Sequence, residues 1–486
     1  MAKSIKKNTV YNIIKTFSSI VFPLITFPYI SRTLLVDNIG KINFGLSFVS
    51  YFSLLASLGI NVYAIRECSK VSEDRKELSK VASQIYSLNL FTTAIAYILL
   101  FLFLVFYKRI VHYRILIVIQ SLSILFGTLG TDWLNTAMED FQYITIRTIL
   151  FQLVSLLLLF AFIHSPEDYI KYAVISVISS SGYSLVNMFY RKKYCDIFFT
   201  KNIEIKKHYL SIIVLFVMLL SQTIFNNVDM TMLGIMKGDF EVGIYSTAHK
   251  IMSVISQTVA SILWVVLPRI SYYYKNNSFG EINTLLRKIL GFHITLGLPC
   301  VIGTILMSND IILLIAGRDF AQSGIVLKLL MFSSFVSLFG GSFLGNMILL
   351  PMNDERYYMI VCIINAILNT ILNYIYIPYY ASIAAATTTI ICSILVLILL
   401  VIRIDKNIRI NKISRLFPQP VLGSIFIIII CYVCKQINQL YLRTFISFTF
   451  SVIIYFIIQI LFKNDLLLPF YNAVLKRIRK VFSDSI

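Results

Sequence analysis

Long apolar runs separated by short polar segments fill the chain from residue 10 to residue 463. At about 1.5 Å per residue, a helical run of roughly 20 residues crosses a hydrocarbon core about 30 Å thick. The pattern predicts fourteen such helices, near 10–34, 40–62, 80–106, 111–136, 144–164, 168–190, 209–236, 241–267, 288–308, 322–350, 357–377, 380–402, 418–436 and 444–463. We therefore predict an all-α, polytopic membrane protein with about 14 transmembrane helices and no soluble domain between them.

Composition supports this prediction. Of the 486 residues, 58% are apolar and only 14% are charged, which excludes a soluble enzyme and a disordered chain. The net charge of +20 would suggest nucleic acid if the basic residues formed one patch, but they lie in small clusters between the apolar runs. We expect no nucleic-acid partner.

The distribution of basic residues orients the helices. With fourteen spans, the loops on the side of the termini carry 30 Lys and Arg residues, and the opposite loops carry 10. Because cytoplasmic loops are enriched in Lys and Arg, both termini are predicted to be cytoplasmic. The largest cytoplasmic clusters include a basic tail at 463–480 and can attract anionic lipid.

A weak internal repeat divides the chain. At an offset of 203 residues, 38–40 correspond to 241–243 and Arg66 corresponds to Arg269; at an offset of 214, Asp140 and Tyr143 correspond to Asp354 and Tyr357. These matches predict a first bundle of helices 1–6 at 1–207, a duplicated bundle of helices 7–12 at 208–415, and helices 13–14 with the tail at 416–486. Both bundles begin on the same side, so the repeat is parallel, an arrangement found in transporters that alternate access to a central site.

No motif for chemistry is present. The sequence has no P-loop, no H-E-x-x-H and no G-x-S-x-G, and its five histidines are dispersed. Cys431 and Cys434 have C-x-x-C spacing, but they lie inside an apolar run, where they are expected to pack as small apolar residues. We predict no catalytic residue, no metal and no cofactor.

Charged residues inside the predicted helices are the candidates for functional residues. A charge in the middle of a membrane costs free energy, so its presence there calls for a structural or functional explanation. Lys15, Arg32 and Asp132 fit a structural or a functional role equally well. Arg147 and Lys171 lie at shallow predicted positions, where an interfacial role is favoured.

Asp229 and Lys250 lie at similar distances from the turn between helices 7 and 8, and therefore at similar depth. We predict that they pair, or that they share a polar cavity with Asn226, Asn227 and His249. One interpretation is an ion pair that only holds two helices together. The other is a site where a proton, a sodium ion or an anionic substrate group competes for one partner.

Five segments resemble one known family. They are FPYISR (Phe27–Arg32), WLNTAMEDFQYITIR (Trp133–Arg147), NNVDMTMLGI (Asn226–Ile235), VGIYSTAHKI (Val242–Ile251) and VVLPRIS (Val265–Ser271). In this order and spacing they resemble the Wzx-type oligosaccharide flippases of the multidrug/oligosaccharidyl-lipid/polysaccharide exporter superfamily. The resemblance implies two six-helix bundles around a central cavity, with helices 13 and 14 outside them.

The resemblance also implies a function. Such a protein moves an undecaprenyl-diphosphate-linked oligosaccharide from the cytoplasmic to the outer leaflet of the bacterial cell membrane, for capsule- or O-antigen-type polysaccharide. Lys15, Arg32 and Lys250, with Asn226 and Asn227, are the candidates for the substrate cavity; Asp229, Asp132 and His249 are the candidates for coupling to H⁺ or Na⁺. The implied partners are the lipid-linked substrate, membrane lipids and polysaccharide assembly proteins, and the implied functional unit is a monomer.

Two alternatives stay open at this point. An ion-coupled multidrug exporter of the same superfamily would have a cavity dominated by acidic and aromatic groups. A membrane enzyme would need an essential group near an outer loop, such as Glu167 or Asp239.

Overall fold

The computed structural model describes residues 5–201, 205–352, 354–404, 408, 413–462 and 464. The basic tail predicted at 463–480 therefore lies outside the described residues, apart from Asn464. Sixteen α-helices are found among these described residues: α1 Ile5–Ser57, α2 Ile60–Lys70, α3 Arg75–Phe106, α4 Arg114–Gly130, α5 Asp132–Ala137, α6 Phe141–Phe162, α7 Tyr169–Val177, α8 Tyr183–Tyr190, α9 Ile205–Met236, α10 Asp239–Lys275, α11 Phe279–Phe292, α12 Leu298–Ile315, α13 Ser323–Ser337, α14 Glu355–Ile402, α15 Pro418–Cys434 and α16 Leu440–Leu461.

The predicted fold class is confirmed. The described part of the chain is helical without a strand, and nine of its helical segments are long and apolar enough to cross a membrane. All fourteen predicted helices fall on helices of the structure. Wider π-helical turns link α7 to α8 at Ile178–Gly182, α11 to α12 at His293–Gly297, and extend α13 through Leu338–Leu349.

Several predicted helix ends are wrong. The first two predicted helices form one continuous element, α1, which changes direction at Leu35, where φ is 64°. The eleventh and twelfth are joined in the same way within α14 at Ala381. The fourth is instead split between α4 and α5 at Thr131, which adopts a left-handed conformation.

By its internal contacts the chain divides into two compact units, Met1–Ser246 and Thr247–Ile486. The first has a core built around Ile60, Tyr63, Ile85 and Leu134, where α2, α3 and α5 meet. The second has a core around Ile282, Leu286, Met347 and Val361. The sequence-based division at 207 and 415 stays a prediction.

A reciprocal crossing of α1 and α10 reproduces the predicted offset of 203 residues. A Cβ atom added to Gly40 would lie 1.8 Å from the carbonyl oxygen of Asp239, and one added to Gly243 would lie 2.3 Å from the carbonyl oxygen of Val36. Val36 corresponds to Asp239 at that offset, as Gly40 does to Gly243. Only residues without a side chain allow two helix backbones to approach this closely.

The second predicted correspondence, at an offset of 214, also has equivalent surroundings. Asp140 precedes α6 and lies 3.9 Å from the Nζ atom of Lys193, at the end of α8. Asp354 precedes α14 and lies 2.6 Å from the Nε atom of Arg403, at the end of α14. Both aspartates thus precede a helix and meet a cation further along the chain in their own unit, as a duplication would predict.

Candidate functional site

Asp132 is positioned by the break between α4 and α5. Thr131 has φ 51° and ψ 46°, so that Asp132 becomes the first residue of the short helix α5. A carboxylate in the first turn of a helix interacts favourably with the positive end of the helix dipole. The break packs closely against α8. A Cβ atom added to Gly130 would lie only 2.5 Å from the Cβ atom of Ser184, so a larger residue would not fit there.

Asp132 forms an ion pair inside the helical bundle. The Nη1 atom of Arg147, on α6, donates to its Oδ1 atom at 2.9 Å, and the Ser184 hydroxyl donates to its Oδ2 atom at 3.3 Å. The Arg147 side chain is only 6% exposed, whereas the Asp132 side chain is 33% exposed. The pair therefore has a buried cationic partner and an accessible anionic partner.

Arg147 is enclosed by aromatic rings. Its guanidinium carbon lies 4.7 Å from the ring centre of Tyr183 and 5.2 Å from that of Tyr143, both within cation–π range. Its Nε atom is buried and has no hydrogen-bond partner among the described residues. Lys15, which is half-buried on α1, interacts electrostatically with both Arg147 and Asp132. The cluster of Lys15, Asp132 and Arg147 therefore has a formal charge of +1.

A polar cavity of about 290 Å³ adjoins this charged cluster, and Asp132 is part of its wall. The rest of the wall combines hydroxyl, amide and indole groups with a few apolar side chains, and includes Asn61, Asn89, Ser123 and Trp133. The Trp133 Nε1 atom is buried and has no hydrogen-bond partner among the described residues. A cavity with this wall suits a hydroxyl-rich ligand better than an apolar one.

Asn187 and Arg191, at the end of α8, hold the break at Thr131 in place. The Asn187 Nδ2 atom donates to the carbonyl oxygen of Gly130 at 2.6 Å. The Arg191 Nη1 atom donates to the carbonyl oxygen of Leu129 at 2.9 Å and to the Thr131 hydroxyl at 3.2 Å. These bonds satisfy backbone groups that the end of α4 leaves without helical partners.

We expect Asn187→Ala to lower the free energy of unfolding by about 1–3 kcal/mol, because the Gly130 carbonyl loses its buried donor. Asn276→Ala is the matched control, since the Asn276 side chain is exposed. Thermal unfolding of the two purified variants beside the unchanged protein measures the difference. Equal unfolding temperatures for the two variants would contradict this role of Asn187.

Arg147 corrects the sequence analysis, which favoured an interfacial role for this residue. It is 5% exposed and joins Asp132, Lys15 and two tyrosines in one cluster. The predicted start of the fifth helix at 144 made Arg147 appear shallow, but α6 begins at Phe141. Lys171, in contrast, is largely exposed and pairs with Asp168 at 2.7 Å, as an interfacial residue does.

The other predicted site residues are placed as follows. Arg32 and Asn226 are exposed, and Asn227 is half-buried with its Nδ2 atom donating to the Thr223 carbonyl at 3.0 Å. Asp229 is buried and accepts a hydrogen bond from the Tyr245 hydroxyl. His249 and Lys250 are half-buried and belong to the other unit, so the pairing of Lys250 with Asp229 stays a prediction.

The charged cluster belongs to one half of the repeat. At the offsets found above, the counterparts of Asp132 and Arg147 are Asn346 and Val361, and the counterpart of Lys15 is Met218. The second half is therefore built without these charges. The cluster is therefore particular to the predicted first half. No group of three potential metal ligands occurs within the described ranges.

The sequence matches the family model described as "Polysaccharide biosynthesis protein" over residues 5–274, more than half of the chain. The chain belongs to this family. A second model, MatE, matches residues 215–375. The membrane protein described here is thus a member of a polysaccharide biosynthesis family.

Curated relatives of this family member have matching names. A putative O-antigen transporter of Shigella dysenteriae is 22% identical over 388 residues, covering 78% of this chain and 94% of the relative. The capsular polysaccharide biosynthesis protein CapF of Staphylococcus aureus is 24% identical over 355 residues, covering 71% and 85%. Both alignments include most of the relative's length.

Solved structures share the fold. The lipid II flippase MurJ, in an inward closed conformation, aligns with a TM-score of 0.72 at 18% identity, covering 94% of this chain and all of MurJ. An inward-facing multidrug resistance MATE family transporter aligns with a TM-score of 0.61 at 14% identity, covering 82% and 98%. The family member therefore has the all-helical fold of these polytopic transporters.

Proposed function

We propose that this protein flips undecaprenyl-diphosphate-linked oligosaccharide repeat units from the cytoplasmic to the outer leaflet by alternating access, for assembly of a surface polysaccharide. The observation that carries the proposal is the Lys15–Asp132–Arg147 cluster beside a polar cavity, inside an apolar helical bundle of a polysaccharide biosynthesis family member. The names of the curated relatives, an O-antigen transporter and a capsular polysaccharide biosynthesis protein, support the substrate class.

The charges of the cluster suit a diphosphate. The net charge of +1 attracts an anion, and phosphate oxygens accept strong charge-assisted hydrogen bonds from Arg and Lys. A diphosphate that approaches Lys15 competes with Asp132 for the guanidinium of Arg147. The Nε donor of Arg147, which has no hydrogen-bond partner in the described part of the chain, offers a further hydrogen bond to the incoming anion. Hydroxyl and amide groups of the adjacent cavity then meet the sugar.

The glycine crossing of α1 and α10 provides a contact that can change during transport. Gly40 and Gly243 bring the two helices together near the end that the charge distribution predicts to face outward. Close backbone packing without interlocking side chains separates and re-forms with few rearrangements. We propose that this crossing is closed while the cluster is loaded from the cytoplasm and opens for release.

One second candidate function has its own support. The match of residues 215–375 to MatE and the buried Asp229, bonded to Tyr245, favour an ion-coupled exporter of small molecules. A buried carboxylate that gains and loses a proton or Na⁺ would couple such transport to an ion gradient. In the flippase the same residue would serve as the coupling group, with H⁺ or Na⁺ as the ion.

Depletion of the protein in its own host tests the proposal. We expect a complete undecaprenyl-diphosphate repeat unit to accumulate on the cytoplasmic leaflet, with loss of surface polymer, as measured by mass spectrometry and by accessibility to an impermeant periodate reagent. Normal intermediates, together with new sensitivity to cationic drugs, would contradict the flippase and support the exporter. As a control, a plasmid copy of the gene that is not subject to depletion must remove the accumulated repeat unit and restore the surface polymer.

A further inference from the structure

A second cavity lies in the unit Thr247–Ile486, where the ends of several helices meet. It has a volume of about 310 Å³, and two arginines contribute to its wall: Arg287 on α11 and Arg415, just before α15. The other wall residues are Thr295, Leu416, Pro418, Gln419 and Asn464. No carboxylate is among these described wall residues, which carry two positive charges. All of these segments lie at the end that the charge distribution predicts to be cytoplasmic.

The polar wall of this cavity is fixed by hydrogen bonds. The Asn464 Nδ2 atom donates to the Gln459 Oε1 atom at 2.7 Å and to the Thr295 hydroxyl at 3.4 Å. The Gln459 Nε2 atom donates to the Gln419 carbonyl at 2.9 Å. These bonds connect α16, α15 and the π-helical turn before α12. Neither arginine forms a hydrogen bond or an ion pair with another residue that the structure describes, and a guanidinium group carries five N–H donors that a phosphate can accept.

An apolar groove adjoins the basic cavity. It runs between α12 and α16, has a volume of about 970 Å³, and is lined by residues that include Pro299, Met307, Phe445 and Phe448. Tyr455 lines the groove and donates its hydroxyl to the Thr295 carbonyl, and Thr295 lines the basic cavity. The groove and the basic cavity are thus separated only by the contact between Tyr455 and Thr295.

A basic cavity next to an apolar groove fits an amphiphile with an anionic head and a hydrocarbon chain. Basic cavities between membrane helices on the cytoplasmic side bind the headgroups of anionic lipids. Among the described residues of its wall the basic cavity has no aromatic ring and no carboxylate, the groups that proteins use to bind sugar rings, and its two guanidinium groups favour a phosphate. A phosphate with a small polar substituent fits its volume and charge.

We propose that Arg287 and Arg415 bind the phosphate headgroup of an anionic membrane phospholipid, whose acyl chain lies in the groove between α12 and α16. The lipid would fix the C-terminal helices α15 and α16 against α12 from the cytoplasmic leaflet. This site is separate from the Lys15–Asp132–Arg147 cluster, and the inference does not depend on the transported substrate.

Native mass spectrometry of the full chain in detergent, titrated with phosphatidylglycerol, tests the site. Arg287→Gln/Arg415→Gln should weaken phosphatidylglycerol binding by about 10- to 30-fold, as expected for the loss of two cations near a lipid phosphate. The matched control is Lys275→Gln/Lys288→Gln, which removes the same charge from exposed residues outside the cavity. We expect the control to change binding less than twofold. Equal weakening by both pairs would overturn the proposal.

Three further ligands identify the occupant. Phosphatidylcholine with the same acyl chains, which has no net charge, should bind at least tenfold more weakly to the unchanged protein, and equal binding would overturn the role of charge. Glycerol phosphate, which has the head without the chains, should not displace the lipid; displacement at equal concentration would overturn the role of the groove. A short polyprenyl diphosphate that binds the two arginines more tightly than phosphatidylglycerol would assign the site to the substrate instead.

Arg415→Gln alone, which changes an exposed residue, keeps the test valid if the double variant does not fold.

Discussion

Arg147→Gln is expected to reduce transport of the lipid-linked oligosaccharide at least tenfold. The change removes the cation that Asp132 contacts at 2.9 Å and one of the two positive charges available to a diphosphate. Removing one partner of a buried ion pair costs about 3–5 kcal/mol, but the Asp132 side chain is 33% exposed, so we expect about 1–3 kcal/mol of lost stability. Complementation of a depleted host, measured as surface polymer per molecule of protein in the membrane, gives the transport effect.

The double variant Asp132→Asn/Arg147→Gln separates structure from function. It removes both charges of the ion pair and leaves the half-buried Lys15 as the remaining charge of the cluster, so its unfolding temperature should recover part of the way towards that of the unchanged protein, while transport stays low. Lys171→Gln is the matched control, because Lys171 is exposed and pairs with Asp168 at the start of α7, outside the cluster. Full transport by the double variant would show that the pair only holds α5 and α6 together.

Gly243→Ala is expected to have an effect of similar size through packing. Its new methyl group would lie 2.3 Å from the Val36 carbonyl oxygen, a backbone atom that cannot move away alone, so α1 and α10 must separate. We expect a loss of about 1–3 kcal/mol of stability and at least a tenfold loss of transport. Gly40→Ala should behave in the same way, because it faces the Asp239 carbonyl in the equivalent contact.

Gly280→Ala is the control for this prediction. Gly280 also lies in the first turn of a helix, α11, but a Cβ atom there meets nothing within 4 Å. Its replacement should keep transport unchanged and leave stability equal or slightly higher. Thermal unfolding and complementation with all three variants measure both effects. If Gly243→Ala and Gly280→Ala behave alike, the crossing of α1 and α10 has no role.

The helices could be predicted from the sequence because apolar runs of membrane length are strong signals, but the breaks within them could not. Leu35 and Thr131 have positive φ angles, although neither is a residue type that favours them. A contact from a distant part of the chain holds Thr131, whose hydroxyl accepts a hydrogen bond from Arg191, the residue after α8. The repeat was detectable because Gly40 and Gly243 are constrained by the same backbone contact.

The candidate site was only half predictable. The predicted depth in the membrane identified Lys15 and Asp132 as candidates for a functional role. It did not identify Arg147, because the predicted helix begins at residue 144 and α6 begins three residues earlier, at Phe141. A helix start three residues earlier places Arg147 about 4.5 Å deeper in the membrane. The roles of Tyr183 and Asn187 could not be predicted, because tyrosine and asparagine are common near the ends of membrane helices. Their contacts with Arg147 and Gly130 become visible only when α8 packs against α4.

Transport by the purified protein is the most direct test of the central proposal. Proteoliposomes containing a short-chain polyprenyl-diphosphate oligosaccharide in both leaflets would be treated with an impermeant reagent that oxidises exposed sugars. With the unchanged protein we predict that nearly all of the substrate becomes accessible, whereas vesicles with Arg147→Gln or without protein stay near one half. Accessibility of one half in all three preparations, with folded protein present and an imposed H⁺ or Na⁺ gradient, would contradict the flippase.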